Sequence, residues 1–438
     1  MSRLHYSQFN HMVKVPDGRG WVLYNFATGA LELLDVVQRN LFDAALSVPV
    51  HSPVVRRWRA AGFLCVMDEV SFVRERIRER VFDLARARDP LPLMLTVCPT
   101  ARCNFACPYC FQEPDSADMA IETQDALKRF VEKRLAAGSF NEIRVDWFGG
   151  EPLLVPDIVE RLSGELLALA DRFGISYKAL VHTNGYLFTQ ESADMLERCR
   201  VTKVIVTVDG DRAAHDATRH LKNGGPTYDR IMGNLEALHT GMTVHVRCNV
   251  HAGNIGCLDA LRDRVEAMAA RNGTAMRVVP AAVRANLVAA ERGDTTSLID
   301  AESFARVLRD FGEVERRQAF TAADGVCPIV RLNELYVDAR GEIYPSCHTI
   351  AGNDAYVLGS VLSENPIDWD AAAQKLADEF AFPDDQPECL TCKLLPCCYG
   401  GCPWTRRSMG DARCPEILAD PDTYVLSLLG QQGDCCSK

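Results

Sequence analysis

From Leu93 to about Arg317 the chain alternates short apolar, β-branched runs with longer segments whose apolar positions recur every three or four residues. That rhythm is the mark of strands and amphipathic helices in turn. The predicted strands are Leu93–Val97, Ile143–Trp147, Tyr177–His182, Lys203–Val208, Thr243–Val250 and Ala275–Pro280. The predicted helices between them are Thr123–Ala136, Val155–Arg172, Gln190–Arg198, Tyr228–His239 and Ile255–Arg271, with a last helix over about Ala301–Arg316. Six βα units predict an α/β fold with a parallel sheet and outer helices, open or closed into a partial barrel. Chemistry in such folds sits beyond the C-terminal ends of the strands.

Residues 1–70 read as a separate small unit. His11–Val15 and Trp21–Asn25 are predicted strands around the turn Pro16-Asp17-Gly18-Arg19-Gly20, Ala30–Ala45 and Ser52–Ala61 predicted helices, and Gly62–Met67 a closing strand. A charged helix over Arg74–Arg88, apolar at Val73, Ile77, Val81 and Leu84, forms a linker over 71–92 that ends at Asp89-Pro90-Leu91-Pro92. The barrel domain is then 93–317, and a Cys-, Pro- and Gly-rich domain occupies 318–438.

Composition narrows the function. The 438 residues are 47% hydrophobic and 24% charged, ordinary for a globular protein, and a net charge of −11 disfavours non-specific nucleic-acid or anionic-membrane binding. No apolar run reaches the length of a membrane span, and Met1–Gly20 lacks the apolar core of a signal peptide. The expected location is therefore cytoplasmic, where thiols stay reduced. Against that background the 18 cysteines stand out. Four lie between Cys98 and Cys110 and eight between Cys327 and Cys414, too dense for incidental thiols. Cys65, Cys199 and Cys248 fit the role of small buried hydrophobes.

After the first strand comes Cys98-Pro-Thr-Ala-Arg-Cys103-Asn-Phe-Ala-Cys107-Pro-Tyr-Cys110. Cys103, Cys107 and Cys110 form a CxxxCxxC spacing in the loop where the radical S-adenosylmethionine (SAM) superfamily carries its signature, and the chain resembles that superfamily. The resemblance implies a 4Fe–4S cluster with three protein thiolates and one iron left for SAM. Tyr109 would lie against the adenine. Phe148-Gly149-Gly150-Glu151-Pro152, at the end of strand two, matches the motif that meets the SAM amino group, and His182-Thr183-Asn184-Gly185 ends strand three as in many members. Thr207-Val208-Asp209-Gly210, with His215-Asp216 and Arg219, resembles a further family stretch. It implies that Thr207 touches the polar groups of SAM and that Arg219 pairs its carboxylate.

The C-terminal cysteines resemble the SPASM extension of the same superfamily, which holds two auxiliary clusters. By position, Cys389, Cys392, Cys398 and Cys414 would hold the distal cluster, and Cys327, Cys347 and Cys402 the proximal one. The expected cofactors are thus SAM and three 4Fe–4S clusters. The proximal set is one thiolate short, leaving an open iron or a role for Cys257, Cys397, Cys435 or Cys436.

SPASM enzymes mostly modify peptides or proteins. In the sulfatase-maturing branch an Asp follows the cysteine of the Tyr-Pro-Cys stretch; here that neighbour is His348, a candidate base or a bystander. The N-terminal unit, with Asn25-Phe26-Ala27-Thr28-Gly29-Ala30, resembles the winged-helix-like leader-binding element of ribosomal-peptide maturases, which adds a peptide strand to a sheet edge. The function implied is hydrogen abstraction from a ribosomally made precursor peptide with a leader, giving a thioether or carbon–carbon crosslink, with a flavodoxin- or ferredoxin-type electron donor. The alternatives are a formylglycine-forming sulfatase maturase and a zinc-stabilised non-enzymatic module.

Overall fold

Strands β1 (His5–Tyr6), β2 (Asn10–Lys14), β3 (Trp21–Asn25), β4 (Leu31–Leu34) and β5 (Leu64–Cys65) form two small antiparallel sheets, β2-β3-β4 and β1-β5. The structure is a computed structural model that describes residues 4–112, 116–283, 298–312, 331–345, 356–379, 381–401, 403, 406 and 420–434. Helices α1 (Val36–Asp43) and α2 (Pro53–Ala60) cover one side of the small sheets, around a core of Leu23, Leu34, Phe42, Val55, Trp58 and Phe63. The helix expected over Ala30–Ala45 is corrected. Leu31–Leu34 pairs with β3, which buries Leu34 opposite Trp21, and α1 starts only at Asp35. Asp35 and Gln38 form a capping box there, a local stop that outweighs the helical spacing. Helix α3 (Glu69–Arg86) follows, burying Val73, Ile77, Val81 and Leu84.

The chain then enters a nine-stranded sheet of order β11-β10-β9-β8-β7-β6-β12-β13-β14. Strands β6 (Leu91–Val97), β7 (Phe140–Trp147), β8 (Ser176–Thr183), β9 (Val201–Thr207), β10 (Thr243–Val250) and β11 (Met276–Ala282) are all parallel to their neighbours. Between them run α4 (Ile121–Ala137), α5 (Pro156–Phe173), α6 (Gln190–Arg198), α7 (Arg212–Thr218), α8 (Tyr228–Glu236) and α9 (Leu258–Asn272). Burial alternates along these strands, most regularly in β10, so one face is packed and the other is left partly open. Helix α5 shows how the ends are set: Pro156 opens it and Gly174, at φ 66°, closes it in the left-handed conformation.

Helix α10 (Ala301–Asp310) comes next, and then the chain returns to the sheet, which the sequence pattern did not predict beyond Ala319. Strand β12 (Glu334–Val337) pairs parallel to β6, followed by antiparallel β13 (Glu342–Pro345) and β14 (Gly359–Ser360). All four residues of β12 are buried, so it lacks the alternation that reveals a half-exposed strand. The remaining helices among the described residues are α11 (Trp369–Glu379), α12 (Pro387–Leu390), α13 (Leu395–Cys398) and α14 (Pro421–Asp434).

Two units result: residues 83–300 with 331–372, and residues 1–82 with 301–330 and 373–438. The second joins the N-terminal sheet to the cysteine-rich tail. Tyr424 of α14 stacks on Phe26, with centroids 6.3 Å apart, and meets Tyr24 edge-on. His11 accepts from Lys393 at 2.7 Å on Nδ1 and bonds Asp422 at 2.7 Å through Nε2. Burial and Lys393 lower the His11 pKa, which keeps it neutral and able to serve both neighbours.

Candidate active site

The loop after β6 is held by its own polar residues. Thr100, fully buried, donates to Asp118, and Arg102 grips both oxygens of Asp118 at 2.8 and 2.7 Å. Inside this collar Cys103 Sγ accepts from the Phe105 amide at 3.4 Å, and Cys110 N donates to Cys107 O. The loop is then zipped to the segment after β9, with Ala106 N bonding His220 O and Lys222 N bonding Asn104 O. Asn184, at the end of β8, donates to Asn104 Oδ1 at 2.7 Å and lies 3.9 Å from Cys103 Sγ.

The Gly149-Gly150-Glu151 turn serves the same loop. A Cβ on Gly150 would lie 2.0 Å from Arg102 O, and one on Gly149, at φ 119°, would lie 2.5 Å from Cys98 Sγ. Glycine is required here because two backbones touch. Gly150 N reaches Thr100 O at 3.0 Å and Glu151 N reaches Arg102 O at 2.8 Å. Glu151 is fully buried and accepts from Leu153 N, Thr183 Oγ1 and Asn184 N, at 3.0, 2.8 and 2.7 Å. Burial pushes its pKa up while these donors pull it down, so the carboxylate acts as a staple between the ends of β7 and β8.

At the end of β9, Asp209 is fully buried and accepts from Asn249 N through one oxygen and from the Tyr109 hydroxyl through the other. Arg219 donates to Tyr109 at 3.0 Å and Asn249 Nδ2 does so at 3.2 Å. The Arg219 guanidinium stands 5.5 Å over the Phe105 ring, and its Nε is buried without a partner. Burial opposes its charge, but Tyr109, Cys107 and Asp209 hold its pKa well above the ordinary value. Beneath it, fully buried His215 accepts from Asp209 N and bonds Thr227. Burial and the Arg219 charge lower its pKa to about 3. Thr207 lies on the partly open face, beside Arg247 in register.

These surroundings fit a cluster and an anionic ligand. Cys103, Cys107 and Cys110 lie in electrostatic reach of one another, and Arg219 stabilises the Cys103 and Cys107 thiolates. Burial still dominates, pushing Cys107 up to about 12. Iron coordination would reverse that, because the bound form is the thiolate. Zinc with sulfurs at 2.3 Å would need them roughly 3.8 Å apart. Among the described residues no three cysteine sulfurs lie within 4.8 Å of one another. A cube, whose ligands bind different irons, suits wider spacing. The orphaned Nε of Arg219 suits a carboxylate.

Sequence reasoning thus finds Cys103, Cys107, Cys110, Tyr109, Gly149, Gly150, Glu151 and Arg219 drawn together through one network. It quoted Asn184 and Asp209 within family motifs without giving them a role, and it missed Asn249, which lies in β10 one residue before its end. In the tail, Cys392 Sγ accepts from the Leu394 amide at 3.5 Å, the same two-residue reach seen at Cys103. Cys397 is fully buried and donates to Phe26 O at 3.5 Å, whereas its neighbour Cys398 is half-buried. Of the thiols read as buried hydrophobes, Cys199 and Cys248 are buried, but Cys65 is half-exposed beside His5. Cys327, Cys347, His348, Cys402, Cys414, Cys435 and Cys436 lie outside the described residues.

Residues 97–254 match the radical SAM superfamily. The chain is 25% identical over 361 residues to the serine-type anaerobic sulfatase-maturating enzyme of Klebsiella aerogenes, across 75% of this chain and 84% of that protein. Its fold is similar to anSMEcpe with bound AdoMet and Kp18Cys peptide, at TM-score 0.57 and 16% identity over 79% of this chain and 99% of the other. It is also similar to Streptococcus suis SuiB bound to precursor peptide SuiA, at TM-score 0.51 and 14% identity over 91% of this chain and 95% of SuiB. No helix among the described residues is long and apolar enough to cross a membrane. With its cysteine loop at the head of a parallel sheet, the chain carries a radical SAM domain over residues 97–254, which supports SAM and a 4Fe–4S cluster as its cofactors, and it is related in sequence to the sulfatase maturases.

Proposed function

We propose that the protein is a SPASM-type peptide maturase that abstracts hydrogen from a ribosomally made peptide and forms a thioether or carbon–carbon crosslink. The carrying observation is the N-terminal sheet, in which β4 is an edge strand among the described residues, flanked by exposed apolar residues. Leu33, Val36, Val37 and Leu41 are 37%, 61%, 74% and 37% exposed. An edge with unpaired backbone and an apolar border suits an added peptide strand. The similarity to SuiB, whose structure holds a precursor peptide, extends over 91% of the chain, against 79% for anSMEcpe.

When bound, the cluster and SAM supply a reductive cleavage that yields the 5′-deoxyadenosyl radical. Cys103, Cys107 and Cys110 would hold the cluster, Arg219 the SAM carboxylate, and Gly149, Gly150, Tyr109 and Thr207 would shape the pocket. Glu151 acts by fixing the loop ends. Cys389, Cys392, Cys398 and Cys414 would hold one auxiliary cluster and Cys327, Cys347 and Cys402 another, with His348 a candidate base. Cys397, buried against Phe26 O, is left as a packing thiol. A small iron–sulfur or flavin protein would supply electrons.

The test is incubation of the reconstituted protein with SAM, reductant and any short peptide found encoded beside its gene. The expected product has lost two hydrogens and arises with 5′-deoxyadenosine. The second reading, formylglycine formation, is favoured by the 25% identity to a sulfatase maturase over 75% of the chain. Oxidation of a serine or cysteine side chain to an aldehyde in a sulfatase peptide, with no change in the other peptide, would decide for it.

A further inference from the structure

Away from the SAM site, in the N-terminal unit, three different metal-ligating side chains converge. His5 of β1 and Cys65 of β5 are directly opposed across the antiparallel ribbon. Cys65 Sγ lies 3.1 Å from His5 Nδ1. Glu69 opens α3 four residues beyond Cys65. One ligand atom from each residue lies within 4.8 Å of the others, and among the described residues this is the one trio of His, Cys, Asp or Glu to do so.

The site has supporting contacts as well as ligands. Glu69 is oriented by Ser7 Oγ at 2.6 Å and the Gln8 amide at 3.0 Å, one donor to each oxygen. Ser7 also accepts from buried Asn25 at 3.0 Å, so the carboxylate is wired to the centre of the small domain. Outer contacts of this kind fix metal ligands in place. Each carboxylate oxygen keeps a lone pair for a cation. A ribbon of two residues per strand cannot hold itself together, and a bridging ion would tie both strands to the start of α3. A dication would satisfy the Cys65 thiolate and the Glu69 carboxylate together, with the thiol proton released to solvent.

We propose that His5, Cys65 and Glu69 form a structural site for a divalent ion of zinc type, completed by water, which staples the β1-β5 ribbon to α3. Imidazole and thiolate select against magnesium and calcium, and zinc accepts nitrogen, sulfur and oxygen together in four-coordination. The site is independent of the SAM chemistry.

The test uses full-length protein, anaerobically reconstituted with iron and sulfide and then titrated with zinc chloride. The wild type should retain one equivalent of zinc more than His5→Ala, Glu69→Gln or Cys65→Ser, at unchanged iron content. Zinc X-ray absorption should give one sulfur and a remainder of nitrogen and oxygen neighbours. Zinc should also raise the Tm of the wild type and not that of Glu69→Gln. His5 is exposed, so its variant should melt like the metal-free wild type, which separates loss of metal from loss of fold. Equal zinc in wild type and His5→Ala, or an all-sulfur zinc environment, overturns the proposal.

Discussion

Arg219 donates to the Tyr109 hydroxyl at 3.0 Å, and this contact ties the cysteine loop to the segment beyond β9. Tyr109 also meets Asp209 and Asn249, so one phenol gathers three strand ends. The guanidinium keeps its Nε for a ligand. Arg219→Met should therefore weaken SAM binding by about one to two orders of magnitude, the worth of a charge-assisted pair at ~1.5–3 kcal/mol. Tyr109→Phe removes a hydroxyl bonded to the charged Arg219 and Asp209, worth about 1.5–3 kcal/mol to the fold, and should weaken SAM binding less because it acts only through the position of Arg219. Equilibrium dialysis with the reconstituted protein measures both. Unchanged affinity in Arg219→Met would remove Arg219 from the carboxylate site.

Replacing Cys103, Cys107 or Cys110 by Ala should abolish 5′-deoxyadenosine formation and remove about four irons, one cube. In the tail, Cys398→Ala should also lose about four irons, whereas Cys397→Ser should keep them. Loss of iron from Cys397→Ser would contradict its place against Phe26 O. Iron and sulfide assays on anaerobically purified variants distinguish these outcomes.

Gly150→Ala places a methyl group 2.0 Å from Arg102 O, which is backbone and cannot rotate away. The loops must separate, breaking the Glu151 N to Arg102 O bond and pulling at Cys103. The expected result is protein with a labile first cluster and at least ~3 kcal/mol less stability, above the usual range for a point change. Urea unfolding and the decay of visible absorbance on exposure to air report the two effects. A variant with wild-type stability would show that the close approach is dispensable.

His215 should make the fold acid-sensitive. Its folded pKa is about 3, below the 6.5 of an unperturbed imidazole. As pH falls below that ordinary value the unfolded chain binds a proton that the folded chain refuses. Its contribution is thus complete above pH ~6.5 and is lost on acidification, by roughly 2 kcal/mol at pH ~5. The slope of stability against pH between about 7 and 5 should flatten in His215→Gln. An equal slope in both proteins would assign the acid sensitivity elsewhere.

The six parallel strands were legible in the sequence because each combines β-branched residues with a flanking helical period. Strand β4 was not, since Leu31, Leu33 and Leu34 fit either period and only pairing with β3 decides between them. Strand β12 was hidden by its complete burial. The cysteine spacing and the Gly-Gly-Glu turn announced the site. What they could not reveal is that Gly149 and Gly150 make room for the cysteine loop, or that Glu151 spends its carboxylate on Leu153, Thr183 and Asn184. Such partners are far apart in sequence and meet only once the strand order is set. Cys65 is the opposite case, a thiol unremarkable by spacing that acquires His5 and Glu69 through strand pairing.

The union of the N-terminal sheet with the cysteine-rich tail bears on how the protein is made. Tyr24, Phe26 and His11 meet Tyr424, Cys397 and Asp422, residues synthesised some four hundred positions later. A ribosome releases the small sheet long before its partners exist, so that face must wait, apolar and uncovered, while the large sheet is translated. A fragment cut near residue 82 would keep the same bare face permanently. Excised copies of the N-terminal sheet should therefore self-associate, and maturation of the tail, including any iron loaded there, becomes the step that completes the beginning of the chain.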